Sequence, residues 1–142
     1  MEISRREFAH AATCAICAIA AGVAPSVAFA ADAPAATQGL TRKMLSQTDG
    51  PMDGYVTIIA EVTIEPGAVV ARHTHPGIES GYLLEGTQTL PVQGRETLTL
   101  KAGDFWLIPA ETPHAGGPPS TTKVKVLITY VVENGKPLAS PA

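Results

Sequence analysis

Cysteine is nearly absent from this 142-residue chain: the two present, Cys14 and Cys17, both fall in the first twenty residues. No cysteine follows residue 30, so a domain built from the remainder contains no disulfide. The C-x-x-C spacing lies inside an apolar, alanine-rich run without the strand and helix that a redox motif of this kind needs. Aromatic residues are only 5% of the chain, too few for a stacking platform that grips single-stranded nucleic acid. Charge is sparse too. The formal net charge is −3 and no stretch of Lys and Arg forms a basic patch, which argues against a nucleic-acid partner. No apolar run reaches the ~20 residues needed to span a bilayer as a helix. After residue 30 no segment shows a helical period over ten or more residues.

The first thirty residues read as an address. Arg5 and Arg6 give a positive start, an apolar run follows from about Ala11 to Val23, and Ala28-Phe29-Ala30 offers small residues for cleavage after Ala30. Ser4-Arg5-Arg6-Glu7-Phe8 resembles the twin-arginine export signal; a general secretory signal that happens to begin with two arginines is the other reading. The resemblance implies export of an already folded protein, with any metal chosen before export. Either route gives a periplasmic or secreted protein with no membrane anchor after cleavage.

What the chain contains in quantity is glycine (13) and proline (12), nearly all of them after residue 30 and scattered as expected where short strands meet at tight turns. A leader is expected over 31–48, of which Ala31 to about Gly39 is rich in Ala and Pro and lacks periodicity. From Leu40 the chain breaks into β-type runs. A barrel or sandwich domain is expected over 49–135, with a tail over 136–142. Its strands are predicted at Tyr55–Ile64, Val69–His75, Glu79–Leu84, Thr87–Val92, Glu96–Leu100, Phe105–Ile108 and Lys123–Val132. Gln93-Gly94-Arg95 reads as a hairpin turn and Asn134-Gly135 as a closing one. Seven short strands without helices predict an all-β domain.

Three histidines remain outside the address: His73, His75 and His114. Residues two apart on a strand share a face, with backbones roughly 6–7 Å apart at a rise of ~3.3 Å per residue. Two imidazoles can converge from there on one ion with bonds of about 2 Å. Pro76-Gly77 then turns the chain, and Glu79 can offer a carboxylate to the same point. An H-x-H pair alone is a common pattern and names neither metal nor fold.

Gly67, His73, His75, Glu79 and Gly86 resemble the first motif of the cupin superfamily, G-x5-H-x-H-x3/4-E-x6-G, at every specified position. Gly103, Pro109 and His114 resemble the second, G-x5-P-x-G-x2-H-x3-N. Two positions depart: Glu111 stands where that pattern has glycine, and Pro118 where it has asparagine. The resemblance, covering about 55 to 132, implies a small antiparallel double-stranded β-helix, the jelly-roll barrel of cupins, commonly dimeric. It implies a metal held by His73, His75, Glu79 and His114. Such nitrogen and oxygen donors suit Mn, Fe, Ni, Zn or Cu, and affinity order does not choose among them.

Octahedral coordination would leave two positions open for water, oxygen or a chelating small molecule. Two functions follow by analogy with the family: a metal-dependent small-molecule dioxygenase or related oxidoreductase, or a non-catalytic periplasmic binder of metal or small ligand. A cupin isomerase or decarboxylase is a third. Glu79, if released from the ion, can act as a base. Trp106 and Tyr82 read as core residues and Glu85 as an exposed strand end, none of them catalytic.

Overall fold

The computed structural model describes residues 38–142. The expected export address and the first part of the expected leader lie outside the described residues. Within them the chain forms nine strands, all paired antiparallel, and no helix long and apolar enough to cross a membrane. The strands are β1 (Leu40–Asp49), β2 (Tyr55–Ile64), β3 (His73–Thr74), β4 (Gly77–Glu85) and β5 (Thr87–Leu90). They continue as β6 (Leu98–Lys101), β7 (Phe105–Ile108), β8 (Val124–Glu133) and β9 (Ser140–Pro141). The main sheet has the order β1-β2-β8-β4-β7, and two small sheets pair β3 with β9 and β5 with β6. The expected all-β antiparallel barrel is what the residues build.

The alternation is clearest in β2 and β8, the two strands richest in β-branched residues. In β2 every second residue from Val56 to Ile64 is buried, and in β8 every second residue from Val124 to Val132. They pair in register along their whole length, Val62 opposite Val126 and Ala60 opposite Ile128, so their inner faces join one core. Trp106, Ile108, Leu83, Leu90 and Leu100 close it from β7, β4, β5 and β6. Fully burying an aliphatic or aromatic side chain contributes about 1.5–3 kcal/mol, so this single cluster dominates the stability of so small a domain.

Two stretches differ from expectation. Leu40–Asp49, most of it assigned by sequence to the leader over 31–48, is the edge strand β1, hydrogen-bonded to β2 with a bulge between Met44 and Ser46. Its exposed residues hide the alternation that an edge strand shows only weakly. The expected tail over 136–142 is also built in: Ser140–Pro141 pairs with His73–Thr74, and the Ala142 N–H donates to Arg72 O at 3.3 Å. The predicted run Val69–His75 keeps strand geometry only at His73–Thr74. The Gln93–Arg95 turn joins β5 and β6 as expected.

Candidate metal centre

Four side chains reach one point through three different segments. His73 lies on β3 and His75 just after it. Glu79 follows the Pro76-Gly77 turn on β4, and His114 comes from the loop after β7. Gly77 is required at that turn, because a Cβ there would strike the Val131 carbonyl of β8. On β4 the residues Gly77, Glu79, Gly81 and Leu83 face inward while Ile78, Tyr82 and Leu84 face out, so the carboxylate enters the barrel among apolar neighbours. His114 is fixed by backbone pairing with both His73 and Val92.

The ligand atoms of His73, His75, Glu79 and His114 all lie within 4.8 Å of one another, and His75, Glu79 and His114 are buried. Donors around one ion at bonds of roughly 2.0–2.2 Å stand about 3–4 Å apart, so small side-chain adjustments complete the sphere. Each ring uses its Nδ1 on a backbone carbonyl: His73 on Ala71 O at 2.7 Å, His75 on Leu138 O at 2.5 Å, His114 on Thr112 O at 2.9 Å. A neutral imidazole that donates from Nδ1 carries its lone pair on Nε2. Three carbonyls therefore set three tautomers, and all three lone pairs turn inward.

His75 Nε2 stands 2.7 Å and His114 Nε2 3.5 Å from Glu79 Oε2. In these tautomers neither nitrogen has a proton to donate to the carboxylate, and both are buried without a hydrogen-bond partner. Lone pairs brought this close with no proton between them need a cation at the point they share. Buried polar atoms left this way are costly, and a divalent cation satisfies both nitrogens and the carboxylate at once. The four residues fit a metal.

Electrostatics favours loading. Burial, opposed by the Ala71 carbonyl and helped by the neighbouring rings, lowers His73 from its ordinary 6.5 to about 4, leaving its lone pair free at neutral pH. Burial would raise the Glu79 carboxyl, but the His114 and His75 imidazoles beside it hold it below the usual carboxylate range. Burial lowers His114, but contact with Glu79 outweighs this and leaves it raised, so a proton and a metal compete for that ring.

Behind the ligands stands Trp106. Its Nε1–H donates to Glu79 Oε1 at 2.8 Å, a buried bond that leaves Oε2 as the inward donor. Trp106 sits opposite Gly81 across β7 and β4, and a Cβ on Gly81 would fall inside the indole. The core reading of Trp106 is thus right about burial but omits this contact. Tyr82 is corrected: it lies on the outer face and is exposed, because β4 alternates and Tyr82 takes the opposite side from Glu79. Glu85 is the exposed strand end expected.

Two residues outside the sequence motifs also face the site. Tyr130, opposite Glu79 on β8, packs its ring 4.9 Å from His75 and is fully buried. Burial, with the Glu79 charge, pushes its hydroxyl far above the ordinary phenol value, so it stays protonated. Arg42 on β1 lines the same cavity, which is partly open to solvent and has a volume of about 60 Å³. The in-register pairing of β1 with β2 puts it there, and the segment's reading as a leader concealed it.

Residues 60–130, half of the chain, match the family model described as the cupin domain. No curated protein matches in sequence. Among solved structures, the DMSP lyase DddQ from Ruegeria pomeroyi DSS-3 aligns with a TM-score of 0.62 at 17% identity over 72% of this chain and 51% of the lyase. The chain thus spans about half that enzyme's length. An RmlC-like cupin from Shewanella frigidimarina NCIMB 400 aligns at 0.57 with 23% identity, over 68% of this chain and 79% of the other. KdgF from a Halomonas species aligns at 0.55 with 21% identity, over 70% and 84%. At these identities the likeness is one of fold.

Proposed function

We propose, from the premise that this chain belongs to the cupin domain family, that it is an exported protein holding one divalent transition metal with His73, His75, Glu79 and His114. It uses that metal on a small molecule as a dioxygenase or related oxidoreductase. The observation that carries the reading is the inward turn of three imidazole lone pairs, each set by a carbonyl on its opposite nitrogen. When bound, the ion supplies Lewis-acid polarisation of a coordinated oxygen and open positions beside it.

The chain's own residues supply the rest. Three backbone carbonyls orient the imidazoles by accepting from Nδ1–H, which turns each Nε2 inward. Trp106 holds Oε1 of Glu79, so the carboxylate offers Oε2 to the ion. Tyr130 keeps its proton and presents a hydroxyl to the cavity. The apolar wall of Val62, Ile64, Val126 and Ile128 lowers the polarity around these groups and strengthens each of these interactions.

The test is metal quantification of the protein taken from its exported pool, followed by oxygen uptake against enediols, catechols and thiols. Oxygen consumption abolished by His75→Ala supports the oxidoreductase. A filled site that turns over none of them, but whose metal spectrum shifts with a small ligand, favours the non-catalytic binder. That second reading is supported by the small volume of the cavity, about 60 Å³.

Export and assembly belong to the same reading. Mass spectrometry of the exported protein should find a mature chain starting at Ala31; an intact Met1 end there would refute it. The outer face of β4 and β7 exposes Tyr82, Phe105 and Leu107 side by side, an apolar patch of the kind that a second copy covers. Light scattering should give a dimer, and a monomeric mass that Phe105→Glu leaves unchanged would remove that part.

A further inference from the structure

The cavity above the metal ligands holds two polar atoms that the metal does not use. Arg42 Nε and Gln88 Oε1 are both buried, and both lack a hydrogen-bond partner. Register explains how they arrive. Arg42 stands opposite Val62 and Gln88 opposite Leu100, and since both partners are buried core residues, both polar side chains share the inner face. Among the described residues no carboxylate lies within ion-pair distance of Arg42. Arg42 is half-buried and meets the Tyr130 hydroxyl, but its Nε–H is buried with nothing to accept from it, and a buried donor left so is costly unless an occupant supplies an acceptor.

The charge count says what that occupant is. A divalent ion offset by Glu79 leaves one positive charge, the imidazoles being neutral, and Arg42 adds a second in the same cavity. An anion is the complementary occupant. A guanidinium prefers a carboxylate geometrically, since its fork presents parallel N–H donors to two oxygens. The Gln88 amide exchanges its oxygen for its NH2 by a half-turn, so it can meet a hydroxyl as acceptor or donor. The cavity is partly open and offers about 60 Å³, so the part of the occupant that reaches Arg42 and Gln88 has only a few heavy atoms.

We propose that Arg42 and Gln88, with the Tyr130 hydroxyl beside them, form a subsite for a small hydroxycarboxylate, Arg42 taking the carboxylate and Gln88 the hydroxyl. The subsite rests on the metal reading above and narrows its substrate class. The competing account of Arg42 is an inward charge that keeps the edge strand β1 from pairing with other chains. That account predicts no effect on ligand binding.

The experiment is calorimetric titration of glycolate into the metal-loaded full chain, with propionate and glycerol as the probes lacking a hydroxyl or a charge. Glycolate should bind, propionate more weakly, and glycerol not measurably. Arg42→Met should weaken glycolate binding by about tenfold or more, since a charge-assisted contact is lost. Arg42→Lys should fall between. Gln88→Leu should erase the preference for glycolate over propionate while keeping the preference for charge. Circular dichroism checks that each variant is folded, and Arg42→Lys and Gln88→Leu keep the test open if Arg42→Met is not.

Glycolate binding unchanged in Arg42→Met or Arg42→Lys overturns the subsite, the more plainly if the variant self-associates. Glycerol binding as well as glycolate also overturns it. If elemental analysis finds no retained ion, the metal reading fails by itself. The same titration on metal-free protein then decides the subsite: Arg42-dependent glycolate binding supports it, and no binding overturns it.

Discussion

His73 and His114 exchange both of their backbone hydrogen bonds: His73 N–H donates to His114 O at 2.9 Å, and His114 N–H donates to His73 O at 3.0 Å. Residues paired in this way are tied before any side chain meets a metal. Their rings then stand with centroids 4.3 Å apart. The site is therefore part of the barrel's own pairing, and the protein should fold without its ion.

Trp106→Phe removes the donor to Glu79 Oε1 but keeps most of the indole's apolar bulk. Metal affinity should fall by roughly 10–100-fold, the usual cost of losing an orienting partner behind a ligand. Gly81→Ala should do the same from the other side by displacing the indole. Competition titration against a chelating dye measures both. Unchanged affinity in both variants would show that the Trp106 contact does not orient the carboxylate.

Removal of residues 138–142 takes away the carbonyl that His75 Nδ1 uses and the β9 strand that pairs with β3. The predicted result is a folded protein whose metal affinity is reduced by about 10–100-fold, because the His75 tautomer is no longer set. The buried Ala139 and half-buried Leu138 also leave the core, so some fall in melting temperature accompanies it. Wild-type affinity in a folded truncated chain would contradict this.

The metal-free protein should lose stability in acid in two stages. Burial lowers His73 to about 4 in the folded state, whereas the unfolded chain titrates near 6.5. Between those values the unfolded state binds more protons, so stability falls as pH drops through that window. After discounting for the partial exposure of His73, this is on the order of 2 kcal/mol. Below about 4.5, Glu79 adds to the loss, since the flanking imidazoles hold its carboxyl low against burial and that contribution ends as the group protonates. His114, raised by Glu79, contributes fully below 6.5 and loses its share only as pH rises through its folded value, so it does not change within the acid window. Thermal melts from pH 7 to 3.5 check the slopes. A flat melting temperature between 6.5 and 5 would contradict the burial of His73.

Glu111 occupies the left-handed region at φ 54°, where its N–H donates to His75 O at 3.0 Å. Only glycine takes that conformation without strain, and the cost for another residue is about 1–2 kcal/mol. Glu111→Gly should stabilise the protein by roughly 0.5–1 kcal/mol after the added freedom of the unfolded chain is subtracted. Denaturant melts read it, and a destabilised variant would show that the Glu111 side chain makes a compensating contribution.

Much of this was legible in the residues. β2, β7 and β8 were visible because each buries every second residue, and His73, His75 and Glu79 because they lie close together in sequence. His114 needed the second motif, since nothing local ties it to residues forty positions earlier. β1 was not legible: as an edge strand it exposes most of its side chains, and Arg42 breaks the apolar alternation at an inward position. The carbonyl of Leu138 was hidden for another reason, since any residue carries one and only the path of the chain selects it. Glu111 shows a third case, in which the backbone keeps a shape the pattern gives to glycine.

X-ray absorption at the metal edge, on the purified protein, tests the central claim most directly. One ion per chain should appear with three imidazole nitrogens and one carboxylate oxygen at about 2.0–2.2 Å, and the imidazole signal should drop by one ring in His114→Ala. A site with fewer than three imidazoles, or one that His114→Ala leaves unchanged, would contradict the account.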